Sequence, residues 1–151
     1  MKRFLLVLGC ITLLLIILIV GFIGYSAIKG HQLDVSSKAY VDANIPTIIS
    51  TWSKEELKKR GSKELQEELT DQNWNLFLAK VKQLGKFQTY EGCKGQAYMS
   101  QNNLNPEIVT AEYRASADFQ NGQAEIKMEL VWRNSQWQIV FLDVDSPIFK
   151  K

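Results

Sequence analysis

Residues 4–28, FLLVLGCITLLLIILIVGFIGYSAI, contain no charged side chain, and residues 11–20 are almost purely branched aliphatic. About twenty helical residues span roughly 30 Å, the thickness of a bilayer's hydrocarbon core. Residues 1–28 are therefore predicted to form one transmembrane helix, which leaves about 120 residues for a single small core. Three fates of the segment are open. Cleavage as a signal peptide would use small residues around Gly24 to Ala27, after an apolar run longer than such peptides need. Lipidation at Cys10 is suggested by Val7-Leu8-Gly9-Cys10, although the apolar run continues for a full span beyond that cysteine. A retained signal-anchor needs no exception and is the reading adopted here.

Lys2 and Arg3 precede the segment, while Lys29 and Lys38 are the nearest cations after it. This bias favours an amino terminus in the cytoplasm. The expected location is the bacterial inner membrane, single-pass, with residues 29–33 as a short tether and a domain over 34–151 in the periplasm or exterior. Beyond residue 28, sixteen basic residues balance sixteen acidic ones. A neutral domain without a basic surplus argues against a nucleic-acid partner. The run Lys58-Lys59-Arg60 is answered by neighbouring glutamates and reads as a solvated helix face. Cys93 is the one cysteine in the domain, so its core must hold without an internal disulfide.

Apolar residues at helical spacing predict a helix over 34–50, with a kink or break near Ile45 imposed by Pro46. Ser53 to Glu56 forms a capping-box pattern for a helix ending at Gly61, and Ser62 to Leu69 continues after a bend. Trp74, Phe77, Leu78, Val81 and Leu84 share one face of a helix capped by Thr70 or Asp71 and stopped by Gly85.

From Phe87 onward the period becomes two. Strands are expected at 87–90 and 96–100, split by the turn Glu91-Gly-Cys-Lys-Gly95. Further strands run over 109–119 and 124–132, joined by Asn121-Gly122, and over 137–144 after Asn134-Ser-Gln136. The last strand is apolar on both faces near Val140 to Leu142, which predicts cover on both sides. Glu112, Asp118 and Glu125 fall on the polar face with Arg114 and Lys127, where cross-strand opposite charges would stabilise the surface. The fold class is α+β: helices, then a four-stranded antiparallel meander.

The proline-bearing first helix, the helix ending LAKVKQLGKF and the closing hairpin WRNSQWQIVFLDVDSP resemble the cystatin-like fold, shared with nuclear transport factor 2-like proteins and with small exported bacterial domains. The resemblance covers about Asp34 to Phe149. It implies amino-terminal helices packed across the concave face of a curved four-stranded antiparallel sheet, a cone. It implies no activity, because that fold serves isomerases, dehydratases, transport factors and assembly modules alike.

Catalytic candidates are scarce. Isomerase-like members of the fold place a carboxylate inside the cone, whereas the one polar atom expected on the apolar face here is the Tyr113 hydroxyl. A single histidine, His31 in the tether, supports neither a triad nor a common metal site. Cys93, between glycines and beside Lys94, could have a lowered pKa in a flexible turn, yet no resolving cysteine or base accompanies it. Tyr40, Tyr113 and Trp132 could line an aromatic cup for a small apolar ligand, although aromatics of this size more often form the core. The expected function is a membrane-anchored binding or assembly module without catalysis or cofactor. Its partner would be an envelope protein or a second copy in a homo-oligomer. A small-molecule carrier or sensor is the alternative, and an isomerase- or hydratase-like enzyme the weaker one.

Overall fold

The computed structural model describes the backbone of residues 2–100 and 108–150, and the side chains of residues 15–19, 31–100 and 108–149. The chain divides into two units, 1–33 and 34–151. The first is helical, and its described side chains, Leu15 to Ile19, are between 53% and 62% exposed. Among the described residues no helix is long and apolar enough to cross a membrane. The side chains of 1–14 and 20–30, on which the transmembrane expectation largely rests, lie outside that set.

The second unit is α+β. It begins within helix α1 (Lys2–Thr51) and continues through α2 (Lys54–Arg60), α3 (Lys63–Glu68) and α4 (Asp71–Val81). Four strands follow: β1 (Phe87–Ser100), β2 (Ile108–Phe119), β3 (Gly122–Arg133) and β4 (Gln136–Asp145). They form one antiparallel sheet in the order β1-β2-β3-β4.

Pro46 does not break α1, so the break expected near Ile45 does not occur. A proline within a helix costs about 3 kcal/mol. Val41, Ile45, Ile48 and Ile49 are each no more than 1% exposed, and burying side chains of this size stabilises by about 1.5–3 kcal/mol apiece. The packed stripe outweighs the missing hydrogen bond. The helix ends instead at Trp52, whose φ of 46° is left-handed. That conformation is disfavoured for a bulky residue. It is held by packing: the Trp52 ring stacks on Phe119 with centroids 6.0 Å apart and meets Phe77 edge-on at 5.6 Å.

Caps start the short helices where the sequence places them. The Ser53 hydroxyl accepts from Glu56 N–H, Ser62 from Leu65 N–H and Thr70 from Asn73 N–H. Gly85, with φ of 76°, stops the turn after α4.

The sheet departs from expectation in three places. β1 is continuous through Glu91 to Gly95, with bulges near Phe87 and Gly92 absorbing the irregularity instead of a turn. At the β2–β3 hairpin the two turn residues are Gln120 and Asn121, because Phe119 pairs with Gly122. The tip is tied back by Gln120 N–H to Lys86 O at 2.8 Å and Asn121 N–H to Leu84 O at 3.0 Å. A bulge opposite Glu129 and Leu130 inserts Val140 into β4, and Phe141 is left 45% exposed. This strand is therefore not covered on both faces.

The inner face, against the helices, sets small residues among large ones such as Tyr113, Ile126 and Leu130. Ala111, Ala115 and Ala117 on β2 and Ala124 on β3 are fully or almost fully buried. Their size leaves room for the apolar stripe of α1. The outer edge of β4 is partly covered at the α2–α3 junction, where Ser62 N–H donates to Ile139 O at 2.8 Å.

Candidate functional site

Tyr113, at 2% exposure, is the largest fully buried side chain. Its hydroxyl lies 2.9 Å from Ser37 Oγ and donates to Asp34 O at 3.2 Å. Ser37 is itself fully buried. Burial raises the Tyr113 pKa above its ordinary value, so the hydroxyl keeps its proton and works as a joint between α1 and β2. Gly95 faces it from β1. A β-carbon at Gly95 would stand 1.9 Å from Glu112 O and 2.7 Å from the Tyr113 ring.

Tyr40 and Trp132, by contrast, line one open cleft of about 600 Å³ between α1, the end of α2 and the β3–β4 hairpin, and Tyr113 is not part of its wall. Trp132 meets Trp137 edge-on with centroids 5.3 Å apart, and Trp137 Nε1 donates to Ser36 Oγ at 3.1 Å. Tyr40 donates to Arg60 O at 3.4 Å, and burial raises its pKa. Arg60 is already committed: its Nε donates to Asn44 Oδ1 at 2.5 Å, and Nη1 pairs with the Glu56 carboxylate and donates to Glu56 O at 3.0 Å. The sequence-predicted trio is thus split, two residues in a cleft and one in the core.

A polar cluster that the sequence reading did not single out sits between α1 and β1. Asp42 Oδ1 accepts from Tyr90 Oη at 2.7 Å and from Cys93 Sγ at 3.2 Å, while Lys38 Nζ donates to Oδ2 at 2.6 Å. Burial pushes the Asp42 carboxyl up, but the hydrogen bonds from Lys38, Tyr90 and Cys93 outweigh it and leave the group below its ordinary range. Burial and then the Asp42 carboxylate push Cys93 up to about 11, and the same two causes raise Tyr90. Cys93 is 7% exposed within a strand. The environment expected from Gly92 and Lys94, a flexible turn with a lowered pKa, is reversed by burial. Among the described residues no group of three His, Cys, Asp or Glu side chains converges as a metal site would require.

The outer face differs most from expectation. Register places Glu112 directly opposite Glu129 and Arg114 directly opposite Lys127. Lys94 continues the basic row on β1, since it pairs with Arg114. Directly opposed like charges destabilise a sheet, by roughly 0.2–1 kcal/mol for a pair. Relief within the chain is slight: Arg114 and Lys127 each reach Glu125 at 3.9 Å, and Lys127 reaches Asp145 at 3.8 Å. Among the described residues Glu112 and Glu129 form no ion pair. Alternation alone identifies the polar face, but only the pairing register says which charge meets which.

No family model, no curated protein and no solved structure matches the chain.

Proposed function

We propose that the chain is a membrane-anchored, exported module that binds or assembles with other proteins and carries no catalytic activity, with the second unit a cystatin-like cone. The observation carrying this reading is the filled inner face. Tyr113 is buried in that face, and its hydroxyl is used to hold α1. A domain of this architecture with a packed interior has its outer surfaces left for partners. The anchor is supported by Leu15 to Ile19, five consecutive aliphatic residues exposed on every side of a helix, as lipid contact requires. Retention in the inner membrane, with the domain in the periplasm or exterior, would raise its concentration near envelope proteins. Mild-detergent extraction followed by native electrophoresis and intact mass tests the reading. A full-length chain migrating within a larger assembly supports it, and a free monomer released from membranes sinks it.

The Tyr40–Trp132 cleft favours a second reading, a small-molecule carrier or sensor. Saturable quenching of tryptophan fluorescence by a small apolar ligand, lost in Trp132→Ala, would support it. The isomerase-like reading gains little: Asp42, the carboxylate of the α1–β1 cluster, is held below its ordinary pKa, whereas a general base is tuned upward.

A further inference from the structure

Two charge rows run across the outer face at neighbouring positions. Gln96, Glu112, Glu129 and Phe141 form one, and Lys94, Arg114, Lys127 and Asp143 form the next. Strands lie about 4.8 Å apart and successive outward residues about 6.7 Å apart, so the rows are nearly straight lines whose central members, on β2 and β3, are of like sign within a row and opposite sign between rows. A shallow hollow of about 500 Å³ lies over both. Tyr98 and Phe141 at its margins are 44% and 45% exposed. The cations are not a polyanion site. Glu112, Glu125, Glu129, Asp143 and Asp145 on the same rows and the next outnumber Lys94, Arg114 and Lys127.

We propose that this face is where the domain meets a second copy of itself, which names one partner for the assembly reading above and rests on it. The charge pattern is self-complementary under a two-fold rotation. Let the axis lie between two facing sheets and run across the strands, midway between the rows. Each acidic row then lies over the basic row of the other copy. Glu112 of one copy faces Arg114 of the other, Glu129 faces Lys127, and symmetry repeats both pairs. The like-charge pairs unfavourable in one chain become four opposite-charge contacts in two. Sheets facing in this way pack about 10 Å apart with strands roughly aligned, a gap that arginine, lysine and glutamate side chains can bridge. The facing side chains are mostly charged and solvent-exposed, and exposed ion pairs contribute little each. The dimer is accordingly weak and salt-sensitive.

The test uses the full chain in mild detergent, with mass measured by light scattering at about 50 mM and about 500 mM salt. Two double variants are compared, Glu112→Lys with Glu129→Lys, and Arg114→Glu with Lys127→Glu. Circular dichroism verifies that both fold. The wild type is expected to dimerise at low salt and to lose affinity about tenfold or more at high salt. Each variant alone is expected to be monomeric, since like rows then face each other. An equimolar mixture of the two restores a heterodimer, because opposite rows face again. A monomeric wild type at low salt, a dimer that survives in both variants, or a mixture no more associated than its components overturns the proposal. If the wild type is monomeric alone yet migrates within a larger complex from membranes, the assembly reading survives without this interface. A monomer in both settings removes both.

Discussion

The Tyr113 hydroxyl stands 2.9 Å from Ser37 Oγ, joining the middle of β2 to a helix residue seventy-six positions earlier. Both groups are buried, so the bond cannot be replaced by bulk water. Tyr113→Phe is expected to cost about 1–2 kcal/mol and to lower the midpoint of thermal unfolding by about 5 °C or more. Calorimetry checks this. An unchanged midpoint would mean that the hydroxyl faces solvent and belongs to a binding surface.

Gly95→Ala should be more damaging than its size suggests. The new methyl would enter the space of Glu112 O and the Tyr113 ring, of which the carbonyl belongs to the paired strand and cannot turn away. A loss of about 3 kcal/mol is expected from forced separation of β1 and β2. Denaturant titration measures it, and a neutral result would show that this strand pair is looser than described.

The β3–β4 turn offers the opposite sign. Asn134 and Ser135 have φ of 53° and 62°, the two left-handed positions of a tight hairpin turn. Asparagine tolerates this region and serine less so. Ser135→Gly is expected to stabilise the domain by about 0.5–1 kcal/mol, visible as a higher unfolding midpoint without change of slope. A lower midpoint would mean that the gain in unfolded-chain freedom dominates.

Cys93 should be inert. With its pKa at about 11, the thiolate fraction at pH 8 is roughly two orders of magnitude below that of an unperturbed thiol. Alkylation of the native chain is expected to be slower than that of the unfolded chain by at least that factor. Asp42→Asn removes an anion that raises the pKa, so it should accelerate the reaction.

The same cluster predicts stability lost at both ends of the pH scale. Asp42 has a lowered folded pKa, so its contribution is present above the ordinary carboxylate value and fades as pH falls below it. Cys93 and Tyr90 have raised pKa values. The unfolded chain then loses those protons first, and stability declines as pH rises from about 9 through about 11. Cys93→Ser should flatten the first part of the alkaline decline in a series of melts. An unchanged slope would remove the thiol from this account.

The amphipathic helices, their serine and threonine caps, the change of period at Phe87 and the two later hairpins were all legible in the sequence. Each depends on interactions within a few residues: a hydroxyl and an amide three positions on, or a side chain and the face it shares at fixed spacing. The polar atom on the inner face, Tyr113, was legible for the same reason. What partners it has, whether Pro46 breaks a helix, and whether Cys93 lies in a turn or a strand were decided only by tertiary structure. In each case burial against a distant segment outweighs a local preference, as the α1 stripe outweighs a proline and burial, helped by Asp42, raises the Cys93 pKa. The charge rows show this most plainly. Period-two alternation assigns Glu112, Arg114, Lys127 and Glu129 to one face, but the Gln120–Asn121 turn sets the β2–β3 register that brings like charges together.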